Sequence, residues 1–186
     1  MYVPPEPDCI RQGDIFKNIV YKNGYDNGGE VTFDFCVVLT QDCDLEQAKD
    51  AIQAMEDSQS PDFVQQQGKE PPNNDKYLNT IILCPAFISQ KLQDGTHLSN
   101  IGWSMQKQHK DLWKPIPSNN HQRYHYIKED ADFKLPALVV DFKHVLALPY
   151  DYINSSLALR VCRLDDLFAH ALSQRYSSFL SRVALP

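Results

Sequence analysis

The sequence predicts an α+β fold: a curved, mainly antiparallel sheet or partly closed small β-barrel, with a C-terminal helix packed on it. Two observations carry this. Short β-branched and aromatic runs bounded by turn residues recur through most of the chain. The clearest helical period lies in the last segment, "LDDLFAHALSQRYSSFLSRV". At 186 residues the chain suits one core of ordinary size, so residues 1–186 are read as a single domain.

The elements follow in order. After a proline-rich lead, "IRQGDIFKNIVYKN" turns at Gly13 and Asp14 into a strand, and "YDNGGE" marks the turn that follows. "VTFDFCVVLT" alternates, which puts Val31, Phe33, Phe35, Val37 and Leu39 on one face. From Leu45 the period becomes helical through Ala48, Ile52 and Met55. Asp44 with Gln47 three residues on fits a capping box, predicting a helix over about 45–57. A Gln-, Pro- and Asn-rich polar loop insertion follows at about 58–76. "YLNTIILCPAF" reads as a buried strand ending at Pro85.

Residues 86–118 are mixed, with Trp103 and Trp113 bracketing a lysine-containing stretch. "HQRYHYI" alternates, "LPALVVDFKHVLALP" reads as a buried strand bending near Phe142, and "LALRVCRL" as another strand. In the last helix Leu164, Leu167, Phe168, Ala171, Leu172, Phe179 and Val183 share a face, and Asp165 and Asp166 sit where the helix dipole favours them. Arg175 and Arg182 project from that same apolar face. A buried guanidinium needs a partner, and Asp44 or Asp141 is the expected one.

Composition narrows the function. Eighteen basic residues against 24 acidic ones give a net charge of −6, and no basic block occurs, which disfavours nucleic acid as a partner. No apolar run is long enough for a bilayer, and the opening residues lack a secretory signal pattern; no membrane association and a cytoplasmic setting are expected. The five cysteines include no C-x-x-C pair, so reduced thiols are expected rather than a zinc ribbon or a disulfide framework.

The chemistry-bearing stretch is "VVLTQDCDLEQ". A strand that turns into a helix presents Gln41, Asp42, Cys43 and Asp44 at the helix start. Unpaired N–H groups there favour a thiolate, while the flanking carboxylates oppose one. A nucleophilic Cys43 requires a base, for which His144 or His125 is available; the plainer reading is a packed turn residue beside an Asp44 cap. His121 and His125 lie four apart, but in extended chain they are too distant to share one ion, and no metal site is assigned. Asp141-x-Lys143 resembles the acid-x-lysine half of restriction-type nucleases. That reading implies Mg²⁺ and a further acid from Asp130, Asp132 or Asp44; otherwise Asp141 pairs with Arg175 or Arg182. Arg123, Tyr124, His125 and Tyr126, with Trp103 and Trp113, could stack on bases or fill an ordinary core.

The segments "QGDIF", "VVLTQDCDLEQ", "QRYHYI", "VVDFKHV" and "LSQRYSSFLSRVALP" resemble a group of poorly characterised bacterial proteins. That group carries Gly-Asp-Ile near the start, a Thr/Ser-Gln-x-Cys-Asp core and an Arg-Val-x-Leu-Pro ending. "RQGDIF" followed by "VVLT" is also similar to the opening of PemK/MazF-type small β-barrels, many of which are endoribonucleases. The chain departs from those barrels in its length, its acidity and its Gln-Asp-Cys-Asp turn. The resemblance implies a bacterial or phage setting beside defence or mobile-element genes. The function expected is a non-enzymatic module of a multi-protein system, binding another protein or a ligand near Cys43, Asp44 and His144. Candidate ligand contacts are Gln41, Asp42, Asp44, Arg123, His125, Arg175 and Arg182, with no cofactor. The alternative is an enzyme, either a Cys/His hydrolase using Cys43, His144 and Asp141 or a metal-dependent (ribo)nuclease. Either reading requires the terminal helix to meet the Cys43 corner.

Overall fold

The architecture is seen in a computed structural model, which describes residues 1–22, 29–58 and 74–182. Most of the predicted "YDNGGE" turn and of the polar insertion, together with Val183 and the chain's last residues, lie outside the described residues. The strands are β1 (Tyr2–Val3), β2 (Asp14–Lys22), β3 (Glu30–Val38), β4 (Thr80–Ile88), β5 (Tyr124–Ile127), β6 (Leu138–Asp141), β7 (Leu146–Pro149) and β8 (Arg160–Leu164). The α-helices are α1 (Asp42–Ser58), α2 (Ser89–Asp94), α3 (Lys110–Trp113), α4 (Tyr150–Ser155) and α5 (Asp166–Leu180).

Every strand pair is antiparallel, in the order β1-β8-β2-β3-β4-β6-β5, with β7 also on β4. The sheet curves but stays open among the described residues: its end strands β1 and β5 do not pair, so the barrel alternative is not realised there. One face carries a core of Phe16, Ile19, Val38, Leu45, Ala48, Leu83 and their neighbours, covered in part by α1. The other carries Ile15, Val37, Cys84, Val140, Phe142 and Leu164, covered by α5 through Ala169 and Leu172.

Three local features differ from the sequence expectation, each for a physical reason. Phe33 and Val31 face the first core, whereas Phe35, Val37 and Leu39 face the second. The alternation breaks between the pairs Lys17↔Phe35 and Ile19↔Phe33, where Asn18 holds a left-handed φ of 55° and lets Phe16 and Ile19 point the same way. Strand β4 continues through Pro85 to Ile88. Leu39 N–H bonds Ile82 O, so stepping along the β3–β4 ladder points the Pro85 nitrogen away from β3, toward the gap between β6 and β7. The Asp141 carbonyl on that side accepts instead from the Cys84 thiol at 3.1 Å. That gap, residues 142–145, is the bend predicted near Phe142: β6 and β7 both pair with β4 on either side of it.

The third feature is in α5. Asp165 caps it, its carboxylate accepting from Phe168 N–H at 3.2 Å, and the N-terminal amine pairs with the same side chain at 3.3 Å. Ala169 and Leu172 are buried, with Phe168, Tyr176 and Phe179 packed beside them. Leu167 lies 200° around the helix from Ala169 and is 75% exposed rather than in the core. Among the described residues no helix is long and apolar enough to cross a membrane.

Candidate functional site

The "QGD" triplet is a buried wedge that joins three parts of the chain. Gly13, at φ 82°, donates its N–H to Val38 O and accepts from Leu164 N–H, both at 3.0 Å. A Cβ there would stand 3.0 Å from Ala169 Cβ and 3.1 Å from Leu164 Cβ, so glycine is what lets α5 approach β2 so closely. Gln12 donates its main-chain N–H to Asp42 Oδ1 at 2.7 Å and its amide Nε2 to Leu39 O at 3.0 Å. Asp42 therefore anchors the wedge. The first turn of α1 closes on the Gln41 carbonyl, which accepts from Asp44 at 3.2 Å and Leu45 at 3.1 Å. The helix thus begins at Asp42, two residues before the predicted Asp44 cap.

Beside this corner lies a hollow of about 380 Å³ lined by Gln12, Gln41, Asp42, Cys43, His170, Ser173 and Gln174. The terminal helix and the thiol corner meet, as both functional readings require. Cys43 is exposed, its Sγ 3.6 Å from Gln41 Oε1 and 3.7 Å from Asp44 Oδ1. The imidazole in this hollow belongs to His170, not to His144 or His125. His170, Ser173 and Gln174 escape a sequence reading because they sit on the polar side of an amphipathic helix. Their i, i+3, i+4 spacing is the signal that they share a face.

The residues predicted around Asp141 form a separate cluster. Asp141 is fully buried, and Arg123 grips both of its oxygens, Nε to Oδ1 at 2.7 Å and Nη2 to Oδ2 at 2.6 Å. Lys143 N–H adds a bond to Oδ1 at 3.1 Å, and His144 Nε2 stands 3.6 Å from Oδ2. Burial lowers the His144 pKa, partly offset by the Asp141 charge. The exposed Trp103 ring tilts toward His144 at 6.2 Å, and Trp113 packs into the first core. Asp141 thus pairs with Arg123 rather than with Arg175 or Arg182, and its carboxylate is committed to that clamp. Of the other acids considered for Mg²⁺, Asp130 Oδ1 accepts the N–H groups of Asp132 and Phe133, closing a turn. Among the described residues no three His, Cys, Asp or Glu side chains are grouped to hold a metal ion.

Arg175 does find partners, but they are carbonyls. It donates to the main-chain oxygens of Asn119, His121 (2.7 Å) and Tyr124 (2.9 Å). Asn119 completes the same edge: its side chain accepts from Tyr126 N–H at 2.6 Å and donates to Tyr126 O at 3.2 Å. Together they cap the outer edge of β5, which no strand covers among the described residues. Arg182 is exposed, bonds Phe179 O at 2.9 Å and lies over the Phe179 ring at 3.9 Å. His125 is buried, its ring 6.5 Å from that of Phe142; burial and the Arg175 charge push its pKa down to about 4. It belongs to the interior, and so cannot serve Cys43 as a base.

A third charged group underlies the corner. Asp14 is fully buried; its Oδ2 accepts from Arg11 N–H at 2.9 Å and from Arg160 at 3.2 Å. Burial outweighs these contacts and pushes its pKa up to about 6. Comparison with family models, with curated proteins and with solved structures finds no match to this chain.

Proposed function

We propose that the chain is a non-enzymatic binding module of a bacterial multi-protein system, and that it recognises a polar segment of a partner protein at the Cys43 hollow. The observation that carries this reading is the convergence of three segments distant in sequence on one open recess: Gln12, Gln41 to Cys43, and His170 to Gln174. Their amide, hydroxyl, thiol and imidazole groups both donate and accept hydrogen bonds, which suits the reading of a peptide main chain. No ion pair joins them among the described residues. The net charge of −6 favours a protein over a nucleic acid as the occupant. The bacterial setting rests on the resemblance of the "QGDIF" and "TQDCD" segments.

The test is co-purification of the full chain from its native cells, comparing the wild type with Ser173→Trp and Gln41→Trp, either of which fills the recess. A partner held by the wild type and lost in both folded variants supports the module. A partner retained equally, or none held by any of the three, overturns it.

The shared position of Cys43 and His170 favours one second reading, a Cys/His hydrolase with His170 as base. It predicts that His170→Ala slows alkylation of Cys43 at least about tenfold at neutral pH. An unchanged rate leaves the module reading alone. The nuclease reading has the least support, because Arg123 occupies both oxygens of the carboxylate it would use.

A further inference from the structure

A different hollow, of about 380 Å³, opens between the outer half of β3 and the segment after α2. Its volume falls in the range of small-molecule pockets. Tyr21, Phe33 and Trp103 line it from three separate parts of the chain, with Leu146 beside them and Glu30 and Asn100 as its polar groups. Among the described residues no lysine, arginine or histidine lines it. The other hollows described each contain one: Arg11 and Lys49, His170, and Arg175 respectively. Trp103 is 55% exposed, an indole left at the rim rather than drawn into the core.

Glu30 brings only acceptors to this recess, while the Asn100 amide and the Tyr21 hydroxyl both accept and donate. Asn100 donates one amide N–H to Thr32 O at 2.8 Å, which leaves its amide oxygen and its second N–H. Glu30 has a cationic neighbour, Lys22, at 3.5 Å, but both side chains are largely exposed, and such a pair adds little and is readily exchanged. Aromatic faces carry the negative end of the ring quadrupole, so three rings and a carboxylate around one recess attract a cation. A primary ammonium would lose its hydration and find too few acceptors among these mostly apolar walls. A methylated ammonium demands no hydrogen bonds.

We propose that the recess lined by Tyr21, Phe33, Trp103 and Glu30 is a binding site for a quaternary methylammonium head group. The site is independent of the Cys43 hollow, and neither reading needs the other. The head group could belong to a small cation or to a trimethylated lysine side chain. The experiment therefore titrates the full chain, carrying Trp113→Phe so that Trp103 alone reports, with choline, with a trimethyl-lysine peptide and with 3,3-dimethylbutanol, the neutral isostere of choline.

Saturable change in Trp103 fluorescence is expected with the cations, at least about tenfold tighter than with the neutral isostere. Glu30→Gln should weaken the cation about fivefold or more, and Trp103→Leu should do the same, read by calorimetry. Both residues are exposed, so the variants are expected to fold, and a thermal melt checks this. Preference for the peptide places the head group on a protein, and equal binding places it on a small molecule; both support the site. Equal affinity for the neutral isostere, absence of saturation, or cation affinity unchanged in both variants overturns it.

Discussion

The corner at Cys43 and the bend at Asp141 both place an aspartate and a histidine where a strand ends. At the bend, Arg123 takes both carboxylate oxygens and His144 stands against the same group, with the aspartate sealed from water. At the corner, Asp42 accepts one main-chain N–H, while Cys43, His170, Ser173 and Gln174 face an open recess. The contrast shows where a protein keeps its capacity to bind. Polar groups that have satisfied one another hold the fold; those left facing solvent can meet something else. Asp141 and His144 are chemically tempting and structurally committed, whereas the side chains of His170, Ser173 and Gln174 line an open recess at the corner.

If this contrast is right, substitutions at the bend should cost stability and those at the corner should cost binding. The largest effect is expected for Asp141→Ala, which strands a partly buried guanidinium and should lower unfolding free energy by about 3 kcal/mol in urea titration. A loss below about 1 kcal/mol would put the bend in the same class as the surface. Next is Arg175→Met, which uncaps the β5 edge. The loss of three charge-assisted bonds to carbonyls should cost about 2 kcal/mol and increase self-association by light scattering.

Two buried groups give stability opposing pH dependences. Asp14 has a folded pKa raised from 3.8 to about 6, so its contribution is complete below pH 3.8 and is lost as pH rises through 6. His125 has a folded pKa lowered from 6.5 to about 4, so its contribution is present above pH 6.5 and is lost as pH falls through 4. Between pH 4 and 6 the two oppose each other. Measured against the wild type, His125→Gln should therefore fall in stability more steeply as pH rises across that window, and Asp14→Asn should rise, each by up to about 1 kcal/mol per pH unit. Parallel curves for all three proteins would show that neither group is buried in the state assigned to it. The smallest stability effect belongs to the corner: Cys43→Ser and Gln41→Ala should change unfolding free energy by no more than about 0.5 kcal/mol, while the partner is lost in co-purification.

Much of the fold is legible in the sequence. Alternation found β3, the change of period at Leu45 found α1, and the Asp165–Asp166 pair with its apolar repeat found α5. The demand that Arg175 find a partner was also readable, because it follows from burial alone. Which partner was not: carbonyls at a strand edge leave no mark in a sequence, and Arg123, 18 residues from Asp141, reaches it only because β5 pairs with β6. The facing of Phe33 turned on one left-handed residue on the neighbouring strand, which periodicity within β3 cannot register. For the site, Gln41, Asp42 and Cys43 were visible from their turn. Gln12 and His170 were hidden because the Gly13 wedge, rather than any local motif, brings β2 and α5 to that turn.

The most direct test of an occupied corner is differential alkylation of the chain alone and in its purified native complex, read by mass spectrometry at each cysteine. Cys9, half-buried beside a different hollow, serves as the internal control. Occupancy predicts that Cys43 is modified at least about tenfold more slowly in the complex while Cys9 is unaffected. A Cys43 as reactive in the complex as in the isolated chain would mean that the partner sits elsewhere, and the recess would lose its assigned role.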